Sequence, residues 1–127
     1  MNVVASAVSV TVADVAASSR FFTTCLGFRE VVVKDGFVHL VRDDAACDIV
    51  LTERDPELPA EPSWGRAEVM VCLSVTGLAA EQERLRAAGA RIAVPLRQEP
   101  WGEQVLHLSD PNGVVVQLVE WLPPAGA

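Results

Sequence analysis

No apolar run in this 127-residue chain approaches the roughly 20 residues that a membrane-spanning helix needs. The longest runs are short and broken by Ser, Asp or Gly. The opening segment, MNVVASAVSV, lacks the basic start of a signal peptide and Asp14 follows early, so a cytoplasmic protein is expected. Bases are scarce as well: ten Lys and Arg face seventeen Asp and Glu, for a net charge of −7. Nucleic acid and anionic membranes are bound through Lys and Arg, so neither is an expected partner. The same acidity would attract a cationic small molecule. Only three cysteines occur, Cys25, Cys47 and Cys72, in the apolar stretches TTCLGF, AACDIV and MVCLSV, with no close pairing. They read as buried reduced thiols acting as small hydrophobes, not as metal ligands or nucleophiles. Also missing are Gly-x-Ser-x-Gly, HExxH, CxxC and any phosphate-cradling Gly-rich loop.

What is present suffices for one folded domain over residues 1–127. Half of the residues are hydrophobic and the mean hydropathy is +0.29, which excludes disorder. A chain of this size buries roughly two-thirds of its unfolded surface.

The chain also repeats itself. Residues 8–28, VSVTVADVAASSRFFTTCLGF, and residues 71–90, VCLSVTGLAAEQERLRAAGA, each run from an alternating strand through a turn into an amphipathic helix and a Gly. Asp14-Val15 lines up with Gly77-Leu78, an offset of 63 positions (77 − 14). Two copies are too few for a solenoid. They suit two modules, at about 1–55 and 66–122, joined by a linker at about 54–65 that is rich in Pro and charge and followed by a loose tail at 123–127. In the first module Val8, Val10 and Val12 alternate with Ser9 and Thr11, giving a strand with one buried face. Asp14 is placed to cap a helix over about 15–26, stopped by Gly27. Strands are expected at about 28–33, 37–42 and 47–53, with turns at Lys34-Asp35-Gly36 and Asp43-Asp44. The second module reads as a strand at about 67–75, a helix at about 78–88 ended by Gly89, and strands at about 90–95, 103–109 and 114–121. Asp110-Pro111-Asn112-Gly113 forms the tight turn before the last strand. The fold class is therefore α+β, with the order βαβββ–βαβββ.

Two runs carry a family resemblance. VTVADVAASSRFFTTCLGF resembles the opening, and EPWGEQVLHLSDPNGVVVQLVEW the closing segment, of the vicinal-oxygen-chelate superfamily, which includes glyoxalases, bleomycin-resistance proteins and extradiol dioxygenases. The resemblance implies two βαβββ modules whose mixed sheets curl around a cleft. In the enzymes that cleft holds a divalent metal on His, Gln or Glu side chains from the first and last strand of each module. The matching positions here are Ala7, Met70, Gln117 and Val50, with Asp48 as the alternative to Val50. Ala, Val and Met are no ligands for a hard divalent ion, and Gln117 offers one neutral oxygen. No metal and no cofactor are expected. The two histidines, His39 and His107, lie on strands of different modules and off the ligand positions.

The resemblance then turns toward binding. Bleomycin-resistance-type proteins sequester a flat, often cationic natural product between aromatic side chains in a cleft of a homodimer. KDGFVHLVRDDAA and QEPWGEQ are similar to segments of those proteins, which implies that Phe37 and Trp101 contact a ligand, with Trp64 as a third. Gln117, Met70, His39 and His107 would complete the walls. Trp121, at the end of the final strand, reads as a core or dimer-contact residue. The expected function is metal-independent binding of a hydrophobic or cationic natural product by a homodimer. The rival reading is a lyase, isomerase or dioxygenase of the same fold with a divergent or absent metal site.

Overall fold

The computed structural model describes residues 1–45, 47–54 and 69–122. The chain divides into two compact units, Met1–Arg66 and Ala67–Ala127. In the first, β1 (Ala7–Val12) leads into α1 (Val15–Leu26), then β2 (Arg29–Lys34), β3 (Phe37–Val41) and β4 (Asp48–Glu53). In the second, β5 (Met70–Ser74) is followed by α2 (Leu78–Ala87), β6 (Arg91–Gln98), β7 (Glu103–Ser109) and β8 (Val115–Trp121). Each unit holds one four-stranded mixed sheet, in the orders β1-β4-β3-β2 and β5-β8-β7-β6. The pairs β1–β4 and β5–β8 are parallel and the others antiparallel. The expected α+β fold and βαβββ order are what the chain adopts.

The helix of unit 1 forms where the sequence places it. Asp14 sits in extended backbone, and its Oδ1 accepts the Ala17 N–H at 3.1 Å, satisfying one of the unpaired donors of the first turn. Gly27, at φ 70°, ends the helix with the left-handed turn that only Gly takes without a Cβ penalty. Arg42 reinforces that end by donating from its guanidinium to the Leu26 carbonyl. The same guanidinium donates to both carboxylate oxygens of Asp44, which holds Asp44 below the usual carboxylate range. On the sheet-facing side Phe21, Phe22, Cys25 and Leu26 are buried, and α1 rests on β2, β3 and β4. Val38, Leu40, Ile49 and Leu51 meet it from the sheet, as strand alternation dictates.

Unit 2 reaches the same layering by a different cap. Gly77 has no side chain to offer, and Glu120 of β8 takes over. Its Oε2 accepts the Gly77 N–H at 2.7 Å and its Oε1 the Leu78 N–H at 3.0 Å. A carboxylate here also meets the positive end of the helix dipole. Replacing Glu120 with Ala should destabilise unit 2 by about 1 kcal/mol, the usual effect of losing an N-cap. A denaturation midpoint equal to that of the parent would show that these bonds contribute nothing.

Some boundaries differ from the expected ones. Strand β6 runs to Gln98, three residues beyond the expected end at 95, and passes through Pro95. It is an edge strand with two register shifts against β7, so a residue without an N–H is tolerated there. Helix α2 closes on Ala88 as its cap residue, with Gly89 at φ 82° just beyond. Cys25 is buried as expected, but Cys47 is half-buried and Cys72 exposed. Cys72 falls between Val71 and Leu73, the less exposed positions of β5, so alternation sends the thiol to the opposite face. Trp121 is no core residue either, being 58% exposed.

Candidate functional site

In both units the helix covers one face of the sheet, and the candidate residues occupy the other. In unit 1 the helix-free face carries Ala7, Ser9 and Thr11 on β1, Asp48, Val50 and Thr52 on β4, and Phe37, His39 and Val41 on β3. The registers Ser9↔Val50 and His39↔Val50 place a hydroxyl, an isopropyl group and an imidazole in one row. Asp48 and Val50 are two residues apart and share this face. The two alternatives for the last-strand position are therefore neighbours on one surface. His39 donates from Nε2 to Asp48 Oδ2 at 2.8 Å, with both side chains half-buried. Further along, Thr11 and Thr52 are joined through their hydroxyls at 3.2 Å.

The corresponding row in unit 2 is Cys72↔Gln117↔His107. His39 and His107 thus hold equivalent places, each opposite the equivalent residue of the last strand. His107 donates from Nε2 to Gln117 Oε1 at 2.9 Å. The one neutral oxygen among the expected metal-ligand positions is already engaged. Met70, paired with Val115, is exposed at the start of β5. The donors at Ala7, Val50, Met70 and Gln117 do not fit a divalent metal. Among the described residues no group of three or more His, Cys, Asp or Glu is placed to hold one.

Phe37 opens β3, half-buried, opposite Thr52 and Lys34. Trp101 stands in the turn between β6 and β7, 58% exposed. That turn is pinned by the Gly102 N–H to the Glu99 carbonyl at 3.1 Å and by the Leu122 N–H to the Gly102 carbonyl at 2.7 Å. The second bond brings the end of β8 alongside, where Glu103 pairs with Trp121. Two exposed indoles and the partly exposed Leu122 therefore lie at one end of unit 2. Trp121 joins the candidate residues, although a core or dimer-contact place is expected for it. Its signal was the period-2 series Gln117, Val119, Trp121, which puts it on the face of the candidate residues. Trp64 lies outside the described residues.

A protein built from two βαβββ units with polar and aromatic side chains on the helix-free faces belongs to the vicinal-oxygen-chelate class of folds. More particularly, the chain belongs to the Glyoxalase/Bleomycin resistance protein/Dioxygenase superfamily, whose family model matches residues 4–118. Among solved structures it resembles TioX from Micromonospora sp. ML1, at 20% identity and a TM-score of 0.74, over 93% of this chain and 98% of that one. A glyoxalase/bleomycin resistance protein/dioxygenase from Nocardioides aligns at 25% identity and a TM-score of 0.72, over 100% and 87% of the two chains. Lactoylglutathione lyase from Agrobacterium tumefaciens gives 16% identity and a TM-score of 0.71, over 91% of each. None of the curated proteins matches the chain significantly. No helix among the described residues is long and apolar enough to cross a membrane.

Proposed function

We propose that this protein binds a hydrophobic or cationic natural product on the helix-free faces of its two units, acting as one domain and as a cytoplasmic homodimer, without metal and without chemistry. The observation that carries this reading is the pair of exposed indoles, Trp101 and Trp121, beside a surface whose metal-ligand positions supply one amide oxygen. An aromatic ligand stacking on such a ring gains apolar burial plus about 0.5–1.5 kcal/mol per ring pair, and a cation adds attraction to the ring face. Phe37 and Met70 would extend the apolar surface, and the two imidazoles and Asp48 would supply polar contacts. Trp64 belongs to the same proposal on sequence grounds alone.

Titrating the intrinsic Trp fluorescence with bleomycin-like and other planar aromatic antibiotics tests it. A saturable change is expected, and Trp101→Ala should weaken binding by on the order of 2 kcal/mol while leaving the fold intact. Equal affinity in variant and parent would make the ring structural. Incubation with Zn, Ni, Mn and Fe salts followed by dialysis should leave no stoichiometric metal. Retention of one ion per chain would overturn the metal-free reading.

One observation favours the rival. The Asp48 carboxylate accepts from His39 Nε2 and so orients the imidazole on this face. That is the geometry of an oriented general base, suited to a lyase or isomerase that moves a proton. The two readings part on the fate of a bound ligand. A sequestering protein returns it unchanged, whereas an enzyme converts it and loses that conversion in His39→Gln.

A further inference from the structure

The end of unit 2 that carries Trp101 and Trp121 also carries three carboxylates, and two of them are committed. Glu99, in the turn between β6 and β7, accepts from Arg97 Nε at 2.7 Å, and its side chain is only 17% exposed. Glu120 holds the N-terminus of α2 through the Gly77 and Leu78 N–H groups. Glu103 opens β7 and is half-buried, and its carboxylate makes no hydrogen bond or ion pair among the described residues. The described bases of this unit are placed elsewhere. Arg84 and Arg86 pair with Glu81 and Glu83 on α2, Arg97 is taken by Glu99, and Arg91 lies opposite Ser109 at the far end of β7.

Register sets what stands beside the free carboxylate. Glu103 pairs with Trp121 across β7 and β8. The series Glu103, Val105, His107 alternates in step with Trp121, Val119, Gln117, so both side chains leave the sheet on its helix-free face. Directly opposite residues of an antiparallel pair have Cβ atoms about 5 Å apart. Trp101 precedes Glu103 with only Gly102 between them, and both indoles are 58% exposed.

Carboxylate and ring together select one chemistry. A half-buried carboxylate without a positive partner has given up part of its hydration for nothing. An indole face attracts a cation within about 6 Å of the ring centroid, more strongly than the other aromatic side chains do. A cationic centre over Trp121 is therefore also within ion-pairing reach of Glu103. A neutral aromatic ligand gains the stacking alone, and it strips more water from the carboxylate without replacing it. An anion meets repulsion from Glu103 and from a chain whose net charge is −7.

We propose that Glu103 is the specificity-determining residue of the aromatic surface at this end of unit 2, and that it selects planar organic cations that carry their charge over the Trp121 ring. The inference rests on the binding function proposed above, which admits hydrophobic and cationic ligands alike; Glu103 decides between them.

The test is equilibrium dialysis of the full chain, at constant ionic strength, against a matched pair of probes. One is thioflavin T, a planar benzothiazolium cation, and the other is its uncharged counterpart without the ring N-methyl group. The parent should bind the cation about tenfold or more tightly than the neutral probe, as ion pairing and cation–π attraction add to stacking. Glu103→Gln should erase that preference by weakening the cation, and continued binding of the neutral probe shows that the variant folds. Trp121→Ala should weaken both probes. Equal affinity of the parent for the two probes, or a preference that persists in Glu103→Gln, would overturn the role of Glu103 and leave aromatic binding standing. Failure of the parent to bind either probe would overturn the binding function itself, and this inference with it.

Discussion

Phe22→Ala is expected to lower the stability of unit 1 by about 4 kcal/mol, within the range measured for deleting a buried Phe side chain. The ring is completely buried at the centre of that unit. It meets Phe21 edge-on with centroids 5.4 Å apart and Phe28 edge-on at 5.5 Å. These contacts add to simple burial, because edge-to-face pairs gain from ring quadrupoles. Truncation leaves a cavity between α1 and the sheet, and close packing around it allows only partial collapse. Folded domains are stable by only about 5–15 kcal/mol, so such a loss removes a large fraction of the total. Phe22→Leu should cost far less, because it keeps most of the volume. Urea denaturation of both variants checks this. A loss below about 1 kcal/mol in Phe22→Ala would place the ring outside the working core.

Asp110→Ala should cost about 3 kcal/mol, and the reason is hydrogen bonding, not volume. Asp110 is 1% exposed, yet it opens the turn between β7 and β8. Its Oδ1 accepts the Asn112 N–H at 2.8 Å and the Val114 N–H at 2.7 Å. The main chain closes around it, with the Asp110 N–H donating to the Val114 carbonyl at 2.8 Å and the Gly113 N–H to the Asp110 carbonyl at 3.0 Å. Gly113, at φ 87°, completes the reversal where a side chain would be strained. Alanine would leave two backbone donors without their acceptor in a part-buried turn. Asp110→Asn keeps the accepting oxygen and should lose distinctly less. Equal losses in the two variants would show that the negative charge, and not the acceptor, holds the turn. Because β8 carries Gln117 and Glu120, slippage here would also disturb the His107 contact and the cap of α2.

The sequence made the fold legible because its signals are local. Asp14, Gly27 and the Asp-Pro-Asn-Gly turn act within a few residues, and the alternation of Val8, Val10 and Val12 announces which face is buried. The pairing of functional groups is a different matter, since it depends on cross-strand register. Nothing along the chain joins His39 to Asp48 or His107 to Gln117, and only the alignment of β3 on β4 and of β7 on β8 does so. Asp48 and Val50, the two alternatives for the last-strand position, share one face by the period of a strand, so alternation does not choose between them. Glu120 was invisible as a cap because its partners lie more than 40 residues away, at Gly77 and Leu78. Cys72 reads as buried from the apolar company it keeps in sequence, but its strand turns Val71 to the core and Cys72 outward. Trp121, at the end of β8 beside Glu120 and Leu122, is exposed as well.

Strand β2 carries a consequence for the behaviour of the protein at high concentration. It lies at the edge of its sheet with Val31 and Val33 exposed, an invitation for a second chain to add a strand. The register shift between Glu30 and Val32 interrupts the ladder after two pairs, and Arg29, Glu30 and Lys34 put charge on either side of the valines. An incoming strand would find a broken hydrogen-bond template flanked by ions that it must desolvate. Both are devices by which edge strands resist fibril growth, and here they sit directly beside the most apolar stretch of the edge.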